Sequence, residues 1–374
     1  MKITALETVE IAASPRGNWI FVLLHTDAGL SGLGEASQSG NDRLVQVVLG
    51  QLGEKLVGRD PTQVEVLWEQ MTRAASIFSG DVGRVGATAV SAVDQALWDL
   101  SGKAYGVPVW QLLGGPHRQQ VRLYANLNRG TQDRSPEGFA RAAVAAVEAG
   151  FQAVKCTPFD EVHHSRFDRH GIDQAAALGV ERIAATRQAI GADIELLVDC
   201  HCRFDLPLAM KVARQVEPLN LYWFEEPVPR HQLAAMQQLC QLSGQTIAGG
   251  ESFFGRREFW PSIAEGGLHV IMPDVKHAGG ITECRRIAAL AEVEGVPVAP
   301  HSPAGPVSTL AGVHLAASIA NFLVLEFAFG EVDWRAQLVR PAEVVDGGLM
   351  ALPQGPGLGI ELDEAMVAAH RVDS

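Results

Sequence analysis

No excess of positive charge is available in this chain: 30 Lys and Arg stand against 43 Asp and Glu, a formal net charge of −13. A nucleic-acid binder displaces counterions with clustered basic residues, so that class is excluded. Cysteine is scarce too, with five scattered through 374 residues. An odd, dispersed set gives no disulfide framework and leaves at least one thiol unpaired. The N-terminus, Met-Lys-Ile-Thr-Ala-Leu-Glu, has no apolar signal core, and no uninterrupted apolar run is long enough to span a bilayer. A soluble cytoplasmic protein is expected, engaging neither membrane nor nucleic acid. Also missing is a strand followed by Gly-x-Gly-x-x-Gly, the usual support of an open dinucleotide-binding sheet.

What is present is ample material for a core, 47% hydrophobic against 20% charged, enough for two domains or for one barrel and a smaller partner. The acidic total does not forbid an anionic small substrate, because local Lys, Arg or a metal overrides the average field. Residues 1–13 and 20–26 read as strands around a loop, Ser14-Pro-Arg-Gly-Asn-Trp19. A third short strand leads into Gly34-Glu35-Ala36, and helices follow to about residue 113, the clearest with Val90, Val93, Leu97 and Leu100 on one stripe. This describes an α+β module. From about residue 120 strand–helix units repeat. Val121–Tyr124, Ala153–Lys155, Leu196–Val198, Leu221–Phe224, Thr246–Ala248, Val270–Met272, Val296–Ala299 and Phe322–Leu325 make eight short apolar strands. Helical stretches such as Phe139–Glu148, Ala209–Val216 and Glu283–Glu294 lie between them. Eight such units predict a parallel α/β barrel of the TIM type. After Arg340 the periodicity fades into turns, expected to return onto the N-terminal module.

Ionisable residues sit where the apolar runs end: Asp199, Glu225, Glu251, Asp274, His301 and Glu326, separated by 26, 26, 23, 27 and 25 residues. A barrel gathers such strand ends on one face, where active sites of this architecture are found. Asp199, Glu225 and Glu251 would repel one another unless a cation neutralises them, and an all-oxygen set suits Mg²⁺. Phe224-Glu225-Glu226-Pro227 offers two candidates, and the first Glu is the choice made. Asp-Cys-His-Cys at 199–202 suggests zinc at first sight. Strand alternation, however, places Asp199 and His201 on one face and Cys200 and Cys202 on the other, so the cysteines are taken as small, buried and reduced.

Asp274 beside His301 would orient the imidazole as a general base. His201 offers a second imidazole and Lys155 a cation. Such a set suits removal of a proton next to a carboxylate, with Mg²⁺, Lys155 and a protonated Glu326 stabilising the enediolate. His163, His164 and His170, and equally Lys276 and His277 beyond their strand, are expected to be solvated.

Ser91-Ala-Val-Asp-Gln-Ala-Leu-Trp-Asp-Leu-Ser-Gly-Lys103, Pro108-Val-Trp-Gln-Leu-Leu-Gly-Gly115, Trp223–Pro227, Gly249-Gly-Glu251, Pro273-Asp274 with Gly279-Gly280, and Ala299-Pro-His301 resemble the motifs of the enolase superfamily, in its mandelate-racemase-like subgroup. The resemblance implies a modified (β/α)7β barrel over residues 119–340, an α+β capping domain over 1–118, and a C-terminal segment, 341–374, returning to that cap. It assigns Asp199, Glu225 and Glu251 to Mg²⁺ and Asp274–His301 to the base, and favours a homo-oligomer. The family's racemases carry Lys-x-Lys where this chain has Lys155-Cys-Thr157, and a threonine hydroxyl cannot replace the second Lys. Asp199-x-His201 is similar to the pattern of the family's acid-sugar dehydratases, in which the His is the general acid. The expected reaction is Mg²⁺-dependent dehydration of a small sugar acid, an aldonate or aldarate, to a 2-keto-3-deoxy acid. Arg16, Trp19, Thr157 and Glu326 are expected at the substrate. An epimerase or lactone cycloisomerase using the same metal site is the alternative, with Lys155 in proton transfer.

Overall fold

The structure is a computed structural model that describes residues 1–37, 40–75, 83–163 and 168–372. In chain order its elements are β1 (Ile3–Ser14), β2 (Gly17–Thr26), β3 (Ser31–Glu35), α1 (Asp42–Leu56), α2 (Val64–Ala75), α3 (Gly83–Tyr105) and α4 (Val109–Leu112). These are followed by β4 (Gln120–Asn126), α5 (Pro136–Glu148), β5 (Ala153–Cys156), α6 (Arg169–Ile190), β6 (Glu195–Asp199), α7 (Leu206–Val216) and β7 (Trp223–Glu225). Then come α8 (Leu233–Leu242), β8 (Ile247–Gly249), α9 (Arg256–Ala264), β9 (Val270–Ile271), α10 (Gly280–Val293), α11 (Pro306–Ser318) and β10 (Leu325–Ala328). The chain closes with β11 (Val339–Arg340), β12 (Leu349–Ala351), β13 (Glu361–Leu362) and α12 (Glu364–His370).

β1, β2 and β3 form an antiparallel sheet packed on α1–α3. The expected loop at 14–19 is a tight hairpin instead: Ser14 pairs with Gly17, and Trp19 is a β2 residue opposite Ile11. The strands simply run on until Pro15 and Arg16 turn the chain.

From β4 to β9 the strands pair in parallel in sequence order, and β10 pairs with β4. Val298 bridges to both Ile271 and Phe322, so the seventh strand is reduced to one bridging residue between β9 and β10. Together they close an eight-position barrel. Alternation divides its residues: Ala153, Leu197, Trp223, Ala248, Met272, Ala299 and Val324 pack inside, while Val154, Leu196, Phe224 and Ile247 face the helices. Caps fix the helix starts. Ser135 accepts from the Gly138 N–H ahead of α5, and Asp205 from that of Leu208 ahead of α7.

Two carboxylates of the N-terminal module hold it to the barrel. Glu35 accepts the N–H groups of Gly305 and Ser308 at the start of α11 (2.7 and 2.8 Å). Asp94 on α3 accepts the N–H and hydroxyl of Thr282 at the start of α10 (3.0 and 2.6 Å). Each sits at the positive end of a barrel helix. This close approach explains Gly280: its φ is +80°, and a Cβ there would lie 2.2 Å from Asp94 Oδ2. The C-terminal return is split between two partners. β12 pairs with β4 of the barrel, whereas Gly357 bridges to Pro108 and Arg371 to Ile11.

Candidate active site

The site residues follow from the inward phase of the strands. Asn126 lies two residues beyond Tyr124, Lys155 beyond Ala153, Asp199 beyond Leu197, Glu225 beyond Trp223, Asp274 beyond Met272, His301 beyond Ala299 and Glu326 beyond Val324. Each therefore projects from the carboxyl end of its strand over the packed interior. Glu251 is one residue out of phase. Gly250, with φ +103°, carries the chain out of the strand and delivers it to the same place.

Asp199, Glu225 and Glu251 bring one oxygen each within 4.8 Å of one another. Glu225, not Glu226, belongs to this trio; Glu226 turns away with φ +39° to accept from Gly250 N and Cys202 Sγ. Glu225 Oε1 receives Lys155 Nζ at 2.9 Å and Oε2 the Trp223 indole at 2.9 Å. Burial pushes the Glu225 carboxyl well up, Lys155 pulls it down, and Asp199 and Glu251 raise it further. Glu251 Oε2 is buried without a hydrogen-bond partner and faces His301 Nε2 at 3.1 Å as an ion pair. Crowded carboxylates with an orphaned oxygen among them are what a hard divalent ion would satisfy, so the donor set fits Mg²⁺.

His301 Nδ1 lies 2.6 Å from Asp274 Oδ2. Burial alone would lower this imidazole, but Glu251, Glu326 and Asp274 raise it to about 10. His201 Nε2 lies 2.9 Å from Asp199 Oδ2, with its side chain 35% exposed, and Asp199 outweighs burial to raise it to about 9. The strand alternation used to orient His201 stops at Asp199, because His201 and Cys202 both take left-handed backbone, φ +47° and +57°. His201 nevertheless faces the site, turned back onto Asp199 by that conformation.

A cavity of about 260 Å³ opens above these groups, lined among others by Arg16, Trp19, Asn126, Lys155, Asp199, His201, Glu251, Lys276, His277 and His301. Arg16 is exposed at the hairpin turn, its guanidinium donating to Asn128 O at 3.3 Å. Trp19 is 1% exposed, edge-on to Trp334. Thr157 and Glu326 are buried and do not line this cavity. Glu326 accepts from Asn126 Nδ2 and Lys155 Nζ on one oxygen and from Ser302 N on the other (2.6, 2.9 and 2.8 Å). It is thus an acceptor for three donors beneath Lys155, set back from the cavity where the substrate was expected to meet it.

The largest correction concerns Lys276 and His277. Far from being solvated they are 2% and 5% exposed, and both line the cavity. Lys276 Nζ reaches Asp274 Oδ2 at 2.6 Å because Asp274 Oδ1 accepts the Lys276 N–H and closes the turn. The signal was available: Asp274-x-Lys276 has the same spacing as Asp199-x-His201. Asn126 was missed for a simpler reason, since the first barrel strand runs two residues further than its apolar stretch. His163 and His170 are exposed, and His164 lies outside the described residues.

Residues 4–114 match the family described as mandelate racemase / muconate lactonizing enzyme, N-terminal domain, and residues 138–366 match enolase C-terminal domain-like. The chain belongs to the enolase superfamily, in its mandelate-racemase-like subgroup. Among similar proteins, the D-galactonate dehydratase of Ralstonia pickettii (strain 12J) is 35% identical over 98% of this chain and 94% of its own length. The D-galactonate dehydratase of Variovorax paradoxus (strain S110) is 36% identical with the same coverage. A mandelate racemase/muconate lactonizing enzyme-like protein from Rubrobacter xylanophilus DSM 9941 superposes with a TM-score of 0.92 at 36% identity, covering 100% of this chain and 98% of its own. The enolase-superfamily fold expected from the motifs is the fold of this chain. No helix among the described residues is long and apolar enough to cross a membrane.

Proposed function

We propose that this protein is a Mg²⁺-dependent dehydratase that converts a sugar acid to a 2-keto-3-deoxy acid. Its similarity to named dehydratases over almost its full length supports a hydro-lyase of the acid-sugar type. The observation that carries the mechanism is the placement of two imidazoles. His201 follows the third barrel position and His301 the seventh, so they face each other across the mouth, one against Asp199 and the other against Glu251.

Asp199, Glu225 and Glu251 would hold the metal. When bound, Mg²⁺ supplies the positive charge that makes a proton next to a carboxylate removable and shares the Glu251 charge that otherwise raises His301. His301 takes the proton from carbon 2, and Asp274 on Nδ1 fixes its tautomer and stabilises the imidazolium. The electron pair left behind forms an enediolate. Lys155, held by Glu225 and Glu326, keeps a fixed cation beneath that charge. His201 then gives a proton to the departing 3-hydroxyl, which leaves as water, and the resulting enol tautomerises to the keto acid. Arg16 and Trp19 close over the distal hydroxyls.

Deprotonation and reprotonation from opposite faces would need, besides His301, a free base such as Lys155 or a residue at 157 on the other face. Both partners of Lys155 are carboxylates and Thr157 is outside the cavity, which weighs against an epimerase. A homo-oligomer in the cytoplasm is part of the same proposal, and light scattering on the purified protein tests the assembly. Incubating the protein with Mg²⁺ and D-galactonate, then with other aldonic and aldaric acids, tests the reaction. A 2-keto-3-deoxy product that disappears with EDTA is expected, and the absence of keto product from every acid would overturn the reading.

A further inference from the structure

Lys276 occupies a position that the dehydration scheme does not use. Its ammonium shares Asp274 Oδ2 with His301 Nδ1, both at 2.6 Å, and so lies beside the base. A second N–H points to His277 Nε2 at 3.2 Å. The state of His277 follows from its other neighbours. Thr88 Oγ1 donates to Arg84 O and lies 2.9 Å from His277 Nδ1, so Nδ1 carries the proton and Nε2 is left as an acceptor. Burial, and then Lys276 itself, hold this imidazole well below its ordinary range, which keeps it neutral. An ammonium has three donors. Two are spent on Asp274 and His277, and the side chain lines the cavity.

We propose that Lys276 is a substrate-binding residue whose third N–H donates to a hydroxyl of the acid-sugar chain beyond carbon 2, on the His301 side of the cavity. This rests on the dehydratase reading above. The alternative is a purely supporting part, in which Lys276 acts only by holding Asp274.

The test uses the acid that the wild-type enzyme turns over fastest, and lactate as a competitive inhibitor. Lactate has the carboxylate and 2-hydroxyl but no further hydroxyl. Lys276→Met should lower kcat/KM for the acid sugar about 10- to 100-fold, the loss of one charge-assisted hydrogen bond. Its inhibition constant for lactate should move less than about threefold. Lys276→Arg should recover part of the loss, and Lys276→Gln, which keeps a donor for Asp274, serves if the Met variant does not fold. A Met or Gln variant with kcat/KM close to wild type would overturn the role. So would a loss of lactate binding as large as the loss in kcat/KM, since that marks damage transmitted through Asp274. A wild-type enzyme inert toward every acid sugar would sink the dehydratase reading and this role with it.

Discussion

Two strand ends on the barrel mouth, Asp199-Cys-His201 after β6 and Asp274-Val-Lys276 after β9, are built alike. In each, Asp Oδ1 accepts the backbone N–H two residues on (2.8 and 2.7 Å), and Oδ2 receives that residue's side chain (2.9 and 2.6 Å). Their surroundings are opposite. Asp199 stands among Glu225 and Glu251, whereas Asp274 is met by Lys276 and His301, with His277 at 3.9 Å. Burial would raise the Asp274 carboxyl, yet Lys276 and the hydrogen-bonded His301 hold it far below the usual range. The same local turn therefore makes a site that needs a cation in one place and a site already neutralised in the other. Sequence pattern sets the turn; the strands on either side set its chemistry.

Removing one carboxylate from each end is the sharpest way to break this comparison. Asp274→Asn should lower turnover by about 10⁴-fold, the effect of losing the carboxylate behind a catalytic imidazole. Its Mg²⁺ affinity by calorimetry should stay near that of wild type. Asp199→Asn should lose both activity and Mg²⁺ binding. Equal losses of Mg²⁺ in the two variants would show that the ends are not chemically distinct. Next in size, His201→Asn should slow dehydration about 10²- to 10⁴-fold, the usual range for one general acid, measured as keto-acid release. A smaller effect separates the ends by stability. At a hundred times its dissociation constant Mg²⁺ should stabilise wild type by about 2.7 kcal/mol, seen as a higher melting temperature, and should leave Asp199→Asn unmoved.

The smallest expected effect concerns an imidazole that has no carboxylate at all. His314 on α11 is buried, accepts from Trp110 N and lies 3.1 Å from Leu358 O, and burial lowers it to about 4. Its folded value lies below the ordinary 6.5, so the unfolded chain binds the proton more readily between the two. Its contribution is complete above pH 6.5 and is lost as pH falls toward 4. At pH 5 the loss amounts to about 2 kcal/mol. Between pH 7.5 and 5 the wild-type melting temperature should fall by about 3 °C more than that of His314→Gln. Equal slopes in the two proteins would mean that His314 is not held neutral.

How far the sequence could be read depends on which constraints are periodic. The barrel and the row Asp199, Glu225, Glu251, Asp274, His301 and Glu326 were legible because alternation and a near-constant repeat leave few alternatives. The seventh strand was legible as an apolar run, although only Val298 of it bridges. Positions set by turns were harder. Lys276 and His277 look like loop residues until Asp274 folds the chain back over the site. His201 reaches its place through left-handed backbone that no alternation rule describes. Trp19, expected in a loop, lines the cavity from β2, since nothing in Ser14–Trp19 states how far the hairpin extends. The contact of β12 with β4 instead of the N-terminal module joins segments more than two hundred residues apart, and short strands such as Leu349–Ala351 carry too few residues to specify a partner.

The most direct test of two opposed imidazoles acting on one acid is the reaction in heavy water, followed by proton NMR with Mg²⁺ present. Wild type should form the keto acid with one deuteron at carbon 3. His201→Asn should exchange the carbon-2 proton while releasing little product, and His301→Asn should do neither. Dehydration at full rate by His201→Asn, or deuterium washed into unchanged substrate by wild type with no keto acid, would contradict the account.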